Sequence, residues 1–190
     1  MGTAELISQA AAATGKVAAG LTTDQRSNAT PCADYEVHDL AAHMAGFYMG
    51  SAIAAAKGER PEGGDPGQLL GDELSGALVD LSSKMAAAWN VPGALDGNTQ
   101  FGPGEMPAAM AANITVLETL VHGWDLAKAT GQSLDVPSDL ADASLATAQM
   151  ICNDDSRASG FFGAAVDAPA GSGSFDQALA LTGRDPGWTA

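Results

Sequence analysis

The chain has 190 residues, a length that suits one domain with a substantial core, and we expect a single domain over 1–190. Its 23 acidic residues outnumber the eight basic ones and give a formal net charge of −15. Because such a charge repels phosphate backbones and anionic lipid surfaces, we expect neither nucleic acid nor a membrane as a partner. Hydrophobic residues, many of them Ala, make up 46% of the chain and aromatic residues only 5%, which predicts an all-α protein.

The sequence carries none of the usual export or membrane signals. It has no run of roughly 18 or more consecutive apolar residues, which a membrane-spanning helix would need. Glu5 stands where a signal peptide would be positively charged, so the expected location is the cytoplasm. The two cysteines, Cys32 and Cys152, are therefore expected to be reduced thiols. The neighbouring sequence supplies no cation that would activate Cys32 as a nucleophile.

Gly, Pro, Asn and Asp residues divide the chain into long helical segments. Five such helices are predicted, from about Ala4 to Ala19, Val37 to Lys57, Gln68 to Asn90, Ala108 to Thr130, and Ser138 to Asn153. Long helices joined by loops of moderate length are typical of an antiparallel four-helix bundle. We expect Ser138, just after Pro137, to cap the last of these helices.

The segments between and after the long helices are rich in helix breakers. The stretch "GERPEGGDPG" at 58–67 predicts a loop, and the stretch from Val91 to Pro107 contains too many breakers to be regular. From Ser159 onward, we expect an irregular Gly-rich tail with one short helix from about Phe175 to Thr182.

Ionisable side chains lie beside the apolar face of the fourth helix, in "TVLETLVHGWDLAKATG". At about 100° per residue, one stripe is apolar. It consists of Ile114, Leu117, Val121 and Trp124. Glu118, His122 and Asp125 form a second stripe directly beside it. Because residues four apart are neighbours on a helix surface, Glu118 and His122 can converge on one point.

The second helix places one histidine near its buried face. That face is formed by Leu40, Met44 and Phe47. His43 lies at its margin, whereas His38 points away and should be solvated. His43, Glu118 and His122 would make a two-His, one-carboxylate set, which is typical of catalytic zinc and also suits nickel, manganese or iron. Spacing alone leaves open a packed core histidine and an ordinary Glu–His surface pair.

Three motifs resemble those of a known family: "TPCADYEVHDLAAHMAG", "ETLVHGWDLAKATG" and the terminal "LTGRDPGW". Together they resemble the DinB-like proteins of actinobacteria, and within them the metal-binding relatives of mycothiol-dependent maleylpyruvate isomerase. The resemblance implies a DinB-like four-helix bundle with a divalent metal between its helices. The implied ligands are His43, Glu118 and His122, and Asp125 would belong to the active site as the catalytic residue.

The resemblance also implies mycothiol as a co-substrate and an S-transferase or isomerase activity. The metal would convert the thiol to its nucleophilic thiolate, which would attack a small-molecule electrophile. Asp125 would orient His122 or handle a proton during transfer.

Two alternatives remain. Because the isomerases carry a second, C-terminal domain that this sequence does not contain, a non-catalytic metal- or small-molecule-binding protein is the first. A metal-dependent hydrolase with the same ligands is the second. The sequence leaves the oligomeric state open, a homodimer included.

Overall fold

The computed structural model describes residues 1–33, 35–59, 66–71 and 73–189, and within them the chain is mostly helical. The elements are α1 (Thr3–Ala19), α2 (Val37–Ala55), α3 (Leu74–Trp89), β1 (Asn98–Phe101), β2 (Gly104–Pro107), α4 (Ala108–Ala129), α5 (Ser138–Ile151), α6 (Asp154–Ala158) and α7 (Ser174–Leu181). Short 3-10 turns occur at Thr23–Gln25 and Pro66–Leu69. The predicted all-α class is confirmed.

Helices α1 to α4 form the predicted bundle. Both α1 and α2 pack against α3 and against α4, whereas α5 lies outside α4 and α7 packs on α5. Helix α3 begins at Leu74, later than predicted, because Gln68 belongs to a 3-10 turn. The loop predicted at 58–67 lies mostly outside the described residues. In the described part of the chain, no helix is both long enough and apolar enough to cross a membrane.

Helix α4 is buried on two sides, and its two apolar faces belong to different clusters. Leu120 and Leu126 pack in the main core of the bundle. Leu117 and Val121 pack with Leu179 of α7 and with α5. Because apolar burial on both sides fixes the rotation of a helix about its axis, the polar strip between these faces is held at a defined position.

A buried polar network ties three helices of the bundle together. The Trp89 indole at the end of α3 donates a hydrogen bond of 2.8 Å to Ser51 Oγ on α2. Ser51 Oγ lies 2.8 Å from the Thr115 hydroxyl on α4, which donates to the Ala111 carbonyl. Because each polar group that these bonds join has a partner in the core, this network strengthens the bundle instead of weakening it.

The expectation of an irregular segment from Val91 to Pro107 is wrong. Strands β1 and β2 pair antiparallel within it, with Phe101 opposite Gly104. The turn is possible because Gly102 has φ +60°, a conformation that favours glycine. Thr99 Oγ1 donates a 2.6 Å hydrogen bond to the Ala54 carbonyl and so fixes the hairpin to the end of α2.

At the C-terminal side, one further expectation is wrong and one short helix was not predicted. Ser138 is the first residue of α5 and its side chain makes no capping bond, because Pro137 occupies the cap position. Helix α6 lies before the Gly-rich tail and was not predicted, whereas α7 is the one short helix that was predicted within the tail. Asn153 lies at the N-cap of α6, and its side chain accepts from Ser156 N in a capping box that stabilises even a short helix.

Gly123 lets α1 and α4 approach closely, and substituting it should destabilise the bundle. A Cβ at this position would overlap the side chain of Thr14, which is held by its 3.1 Å hydrogen bond to the Thr119 carbonyl. We expect Gly123→Ala to lower the free energy of unfolding by about 1–3 kcal/mol. Chemical denaturation followed by circular dichroism measures this change.

Gly15→Ala is the matched control. Gly15 also lies in a helix of the bundle, but a Cβ there would come no closer than 3.9 Å to another side chain, that of Ser82. Relief of glycine's backbone entropy should therefore stabilise this variant by up to about 1 kcal/mol. Equal effects of the two substitutions would contradict the close-approach argument.

Candidate metal centre

Helix α4 supplies two adjacent donor groups. Glu118 and His122 are one turn apart, and His122 Nε2 lies 3.3 Å from Glu118 Oε2. His122 is only 7% exposed, whereas the Glu118 side chain keeps 21% of its surface exposed. The pair therefore combines a buried imidazole with a carboxyl side chain that is partly open to solvent.

Helix α2 brings His43 to the same place. The rings of His43 and His122 are 4.7 Å apart between centroids, in an edge-to-face arrangement. One ligand atom from each of His43, Glu118 and His122 can be chosen so that all three lie within 4.8 Å of one another. The three residues singled out in the sequence are thus brought together by the packing of α2 on α4, and they could hold a metal ion.

Asp125 lies behind His122 and is fully buried. Its Oδ2 accepts a 3.0 Å hydrogen bond from His122 Nδ1, since an ionised carboxylate can only accept. The Arg184 guanidinium, from the segment after α7, donates from Nη2 to Asp125 Oδ2 at 3.1 Å and from Nε to Oδ1 at 3.4 Å. The carboxylate is therefore held between a histidine on its own helix and an arginine 59 residues away.

The two histidines have opposite pKa shifts. Burial lowers the pKa of His122, but its hydrogen bonds to Asp125 and Glu118 outweigh burial and raise it to about 9. Burial raises the pKa of Glu118, and contact with His122 reverses this and lowers it. Burial and the charge of His122 lower the pKa of His43 to about 4. At neutral pH the site therefore holds a neutral His43 beside a charged His122–Glu118 pair.

Cys32, His122 and Asp125 form a second group of close donor atoms. This group is less suited to a cation, because the Asp125 oxygens already accept hydrogen bonds from the Arg184 guanidinium. A metal bound there would lie against that positive charge. The charge of Arg184 acts on the pKa values of His43 and Glu118, but its side-chain hydrogen bonds go to Asp125 and Thr182, so the group of His43, Glu118 and His122 is the better candidate.

Sequence reasoning missed two residues around the centre, Arg184 and Tyr35. The Cys32 thiol raises the pKa of the Arg184 guanidinium, so the two side chains lie near each other. No cation is close to Cys32 in the sequence. The Tyr35 ring lies 5.4 Å from that of His43. Away from the centre, the expectation of a solvated His38 is wrong, since its side chain is half-buried. A signal for Arg184 did exist, since a buried carboxylate needs a cationic partner and the chain has only eight Lys and Arg residues.

Comparison with known proteins identifies the family of the chain. Residues 7–127 match the mycothiol maleylpyruvate isomerase N-terminal domain family, and the chain belongs to that family. It is also similar to Uncharacterized protein MT0763 and Uncharacterized protein Rv0738, both from Mycobacterium tuberculosis. Each is 29% identical over 133 residues, which is 70% of this chain and 70% of the relative. No solved structure matches the chain significantly.

The shifted histidines predict a pH dependence for the chelator-treated protein. The pKa of His122, about 9, exceeds the 6.5 of an unfolded histidine, so its contribution to stability is present below pH 6.5. That contribution is lost as the pH rises through 9. We expect nuclear magnetic resonance titration to show His122 losing its proton near pH 9 and His43 near pH 4. The free energy of unfolding should fall between pH 6.5 and 9.

Glu118→Gln provides the control for this titration. It removes one of the two contacts that raise the pKa of His122 and leaves the contacts of Asp125 in place. The titration midpoint of His122 should therefore move down in this variant. An unchanged midpoint, or a parent His122 that titrates near 6.5, would contradict the pairing described above.

Proposed function

We propose that the chain binds one divalent metal ion through His43, Glu118 and His122 and uses it, in the cytoplasm, for mycothiol-dependent S-transfer or isomerisation. Zinc is the preferred ion, and nickel, manganese and iron suit the same donors. The observation that carries the proposal is the convergence of these three ligand atoms within 4.8 Å. Membership of the mycothiol maleylpyruvate isomerase N-terminal domain family supports the choice of thiol.

The donor set fits a divalent ion chemically. Two imidazole nitrogens and one carboxylate oxygen are the ligands of many catalytic sites that leave a further position for water or substrate. His43 is half-buried and 21% of the Glu118 side chain is exposed, so an external ligand can approach from that side. His122 lies on the closed side, where its Nδ1 hydrogen bond to Asp125 leaves Nε2 directed toward Glu118.

Each residue has a separate role in this proposal. When bound, a divalent ion would favour the thiolate form of a coordinating thiol, which is the nucleophilic form. His43 and Glu118 would hold the ion near solvent, and His122 would hold it from within the bundle. Asp125 would act through His122 by fixing the orientation of the ring and the nitrogen that carries the proton. Because Asp125 is fully buried and both its partners are protein groups, we assign it this positioning role.

Metal content is the direct test of the ligand set. Elemental mass spectrometry should find about one divalent ion per chain in the parent protein. His43→Ala, Glu118→Ala and His122→Ala should each weaken metal affinity by at least about 100-fold, the upper end of what loss of a supporting residue costs. The reason is that each variant removes one of only three protein donors.

His38→Ala is the matched control, because His38 lies on α2 like His43 but belongs to neither group of close donor atoms. It should bind metal like the parent. A parent that stays metal-free after exposure to zinc, nickel, manganese and iron would overturn the proposal. A loss of metal in the His38 variant equal to that in the His43 variant would overturn the ligand assignment.

Cobalt substitution tests the role of the thiol. A thiolate that coordinates cobalt changes its visible absorption, so mycothiol should alter the spectrum of the cobalt-loaded protein. S-methylated mycothiol has no ionisable thiol and should leave the spectrum unchanged, which makes it the control. Thiol binding without conjugation across a panel of electrophiles would favour a non-catalytic binding protein. Turnover of esters or amides without any thiol would favour a hydrolase.

A further inference from the structure

We propose that Arg184 is a positioning residue of the metal centre, which it controls by holding Asp125 and, through Asp125, the ligand His122. The inference rests on the proposed function in that it concerns the same site. It extends the site into the segment after α7, since Arg184 lies well beyond residues 7–127 that match the family. Neither the periodicity of α4 nor the family match assigns a role to this residue.

The chain after α7 is fixed so that Arg184 returns to α4. The Thr182 hydroxyl donates to the Leu179 carbonyl at 2.8 Å, and Arg184 N donates to the same carbonyl at 2.9 Å. Leu179 itself is fully buried in the cluster that contains Leu117 and Val121 of α4. Arg184 is thus tied by its backbone to a residue that packs against the helix carrying Asp125.

Gly183 is required for this path of the chain. Its φ of +89° is a conformation that other residues rarely adopt. A Cβ at Gly183 would also lie 3.0 Å from the Gly163 Cα and from the Ala164 carbonyl oxygen. The backbone of Gly163 and Ala164 therefore passes directly against the turn at Gly183. This turn directs the next residue, Arg184, into the protein.

The guanidinium is placed to orient the carboxylate as well as to neutralise it. Arg184 Nε and Nη2 face the two oxygens of Asp125, and Nη1 donates to the Thr182 carbonyl at 3.2 Å. The Arg184 side chain is 11% exposed and that of Asp125 is not exposed, so water competes little for these bonds. Two donors on one carboxylate fix its plane, which a single donor would leave free to rotate.

The fixed carboxylate in turn determines where the His122 ring points. Asp125 Oδ2 accepts from His122 Nδ1 at 3.0 Å, and the other ring nitrogen faces Glu118. Without Arg184, the buried carboxylate would keep its hydrogen bond to His122 but could turn about its own bonds. The ring would then lose the orientation that presents Nε2 to the metal.

Substitution of Arg184 tests the proposal through metal affinity. In chelator competition, we expect Arg184→Met to weaken zinc binding about tenfold, the lower end of what loss of a supporting partner costs. Arg184→Lys should fall between the parent and the Met variant, because lysine restores the charge but not the two-pronged geometry. The cobalt-loaded Met variant should also show a changed visible spectrum, since one ligand is misoriented.

Arg157→Met is the matched control for loosening of the tail. Arg157 Nη2 donates to the Leu181 carbonyl at 2.8 Å and its Nη1 to the Gly163 carbonyl, but it makes no contact with Asp125. Its loss should lower thermal stability while leaving zinc affinity within about twofold of the parent. Equal losses of affinity in the two Met variants would overturn the proposal, because docking of the tail in general would then explain them.

A second readout tests the role of Arg184 without metal. In chelator-treated protein, the His122 Nδ1–H that bonds to Asp125 should give a resolved proton resonance, protected from exchange with water. Arg184→Met should broaden or abolish this signal, whereas Arg157→Met should retain it. An unchanged signal in the Arg184 variant overturns the positioning role. A parent that binds no metal overturns the proposed function instead, so the two failures are distinguishable.

Discussion

The fully buried Asp125 carboxylate is the group around which the centre is organised. A buried charge is tolerated only when it is paired and hydrogen-bonded, and Asp125 has both kinds of compensation. His122 comes from the same helix, and Arg184 comes from the far end of the chain. One carboxylate thus links the docking of the tail to the orientation of a donor residue. Removing one partner would leave the carboxylate poorly compensated, which is costlier than losing one hydrogen bond.

The site also depends on the packing of α4, which is set by groups that have no chemical role. The apolar clusters on its two faces fix its rotation, and the contact of Gly123 with Thr14 sets its distance from α1. His43 reaches the site because α2 packs on α4. Burial of His122 then follows from its helix position, while His43 and Glu118 stay partly open. This asymmetry suits a centre that is fixed from inside and approached from outside.

The helical period was enough to predict the part of the site that lies on one element. Glu118 and His122 share a face because residues four apart are neighbours, and this local geometry does not depend on the rest of the fold. The position of His43 at the margin of its apolar face predicted it as the third candidate donor, and the packing of α2 on α4 brings it beside His122. Arg184 could not be placed in this way, because its path depends on α7 docking and on the positive φ of Gly183. Tyr35 could not be placed either, because it precedes α2 and its ring contacts that of His43, eight positions further along the chain.

The fold itself was predictable to a similar extent. The five long helices follow from periodicity and breakers, and the end of α4 before Gly131 follows from a glycine at φ +68°. The hairpin was missed because its strands have four residues each, too few for an alternating pattern, and its turn depends on Gly102. Ser138 was misjudged as a cap because a serine after a proline fits either the cap or the first helical position.

The charges of the site give a physical reason for an anionic external ligand in the proposed function. Glu118 and Asp125 are balanced by Arg184 and by a protonated His122, whose pKa is about 9. Coordination through His122 would require the imidazole to lose the proton that gives it its charge. A divalent ion would then replace the single positive charge of His122 with two. The partly buried centre would then hold an excess positive charge, which is unfavourable at low dielectric. A thiolate removes that excess, whereas a neutral thiol does not. In the proposed function, the arrangement of protein charges would therefore favour loss of the thiol proton.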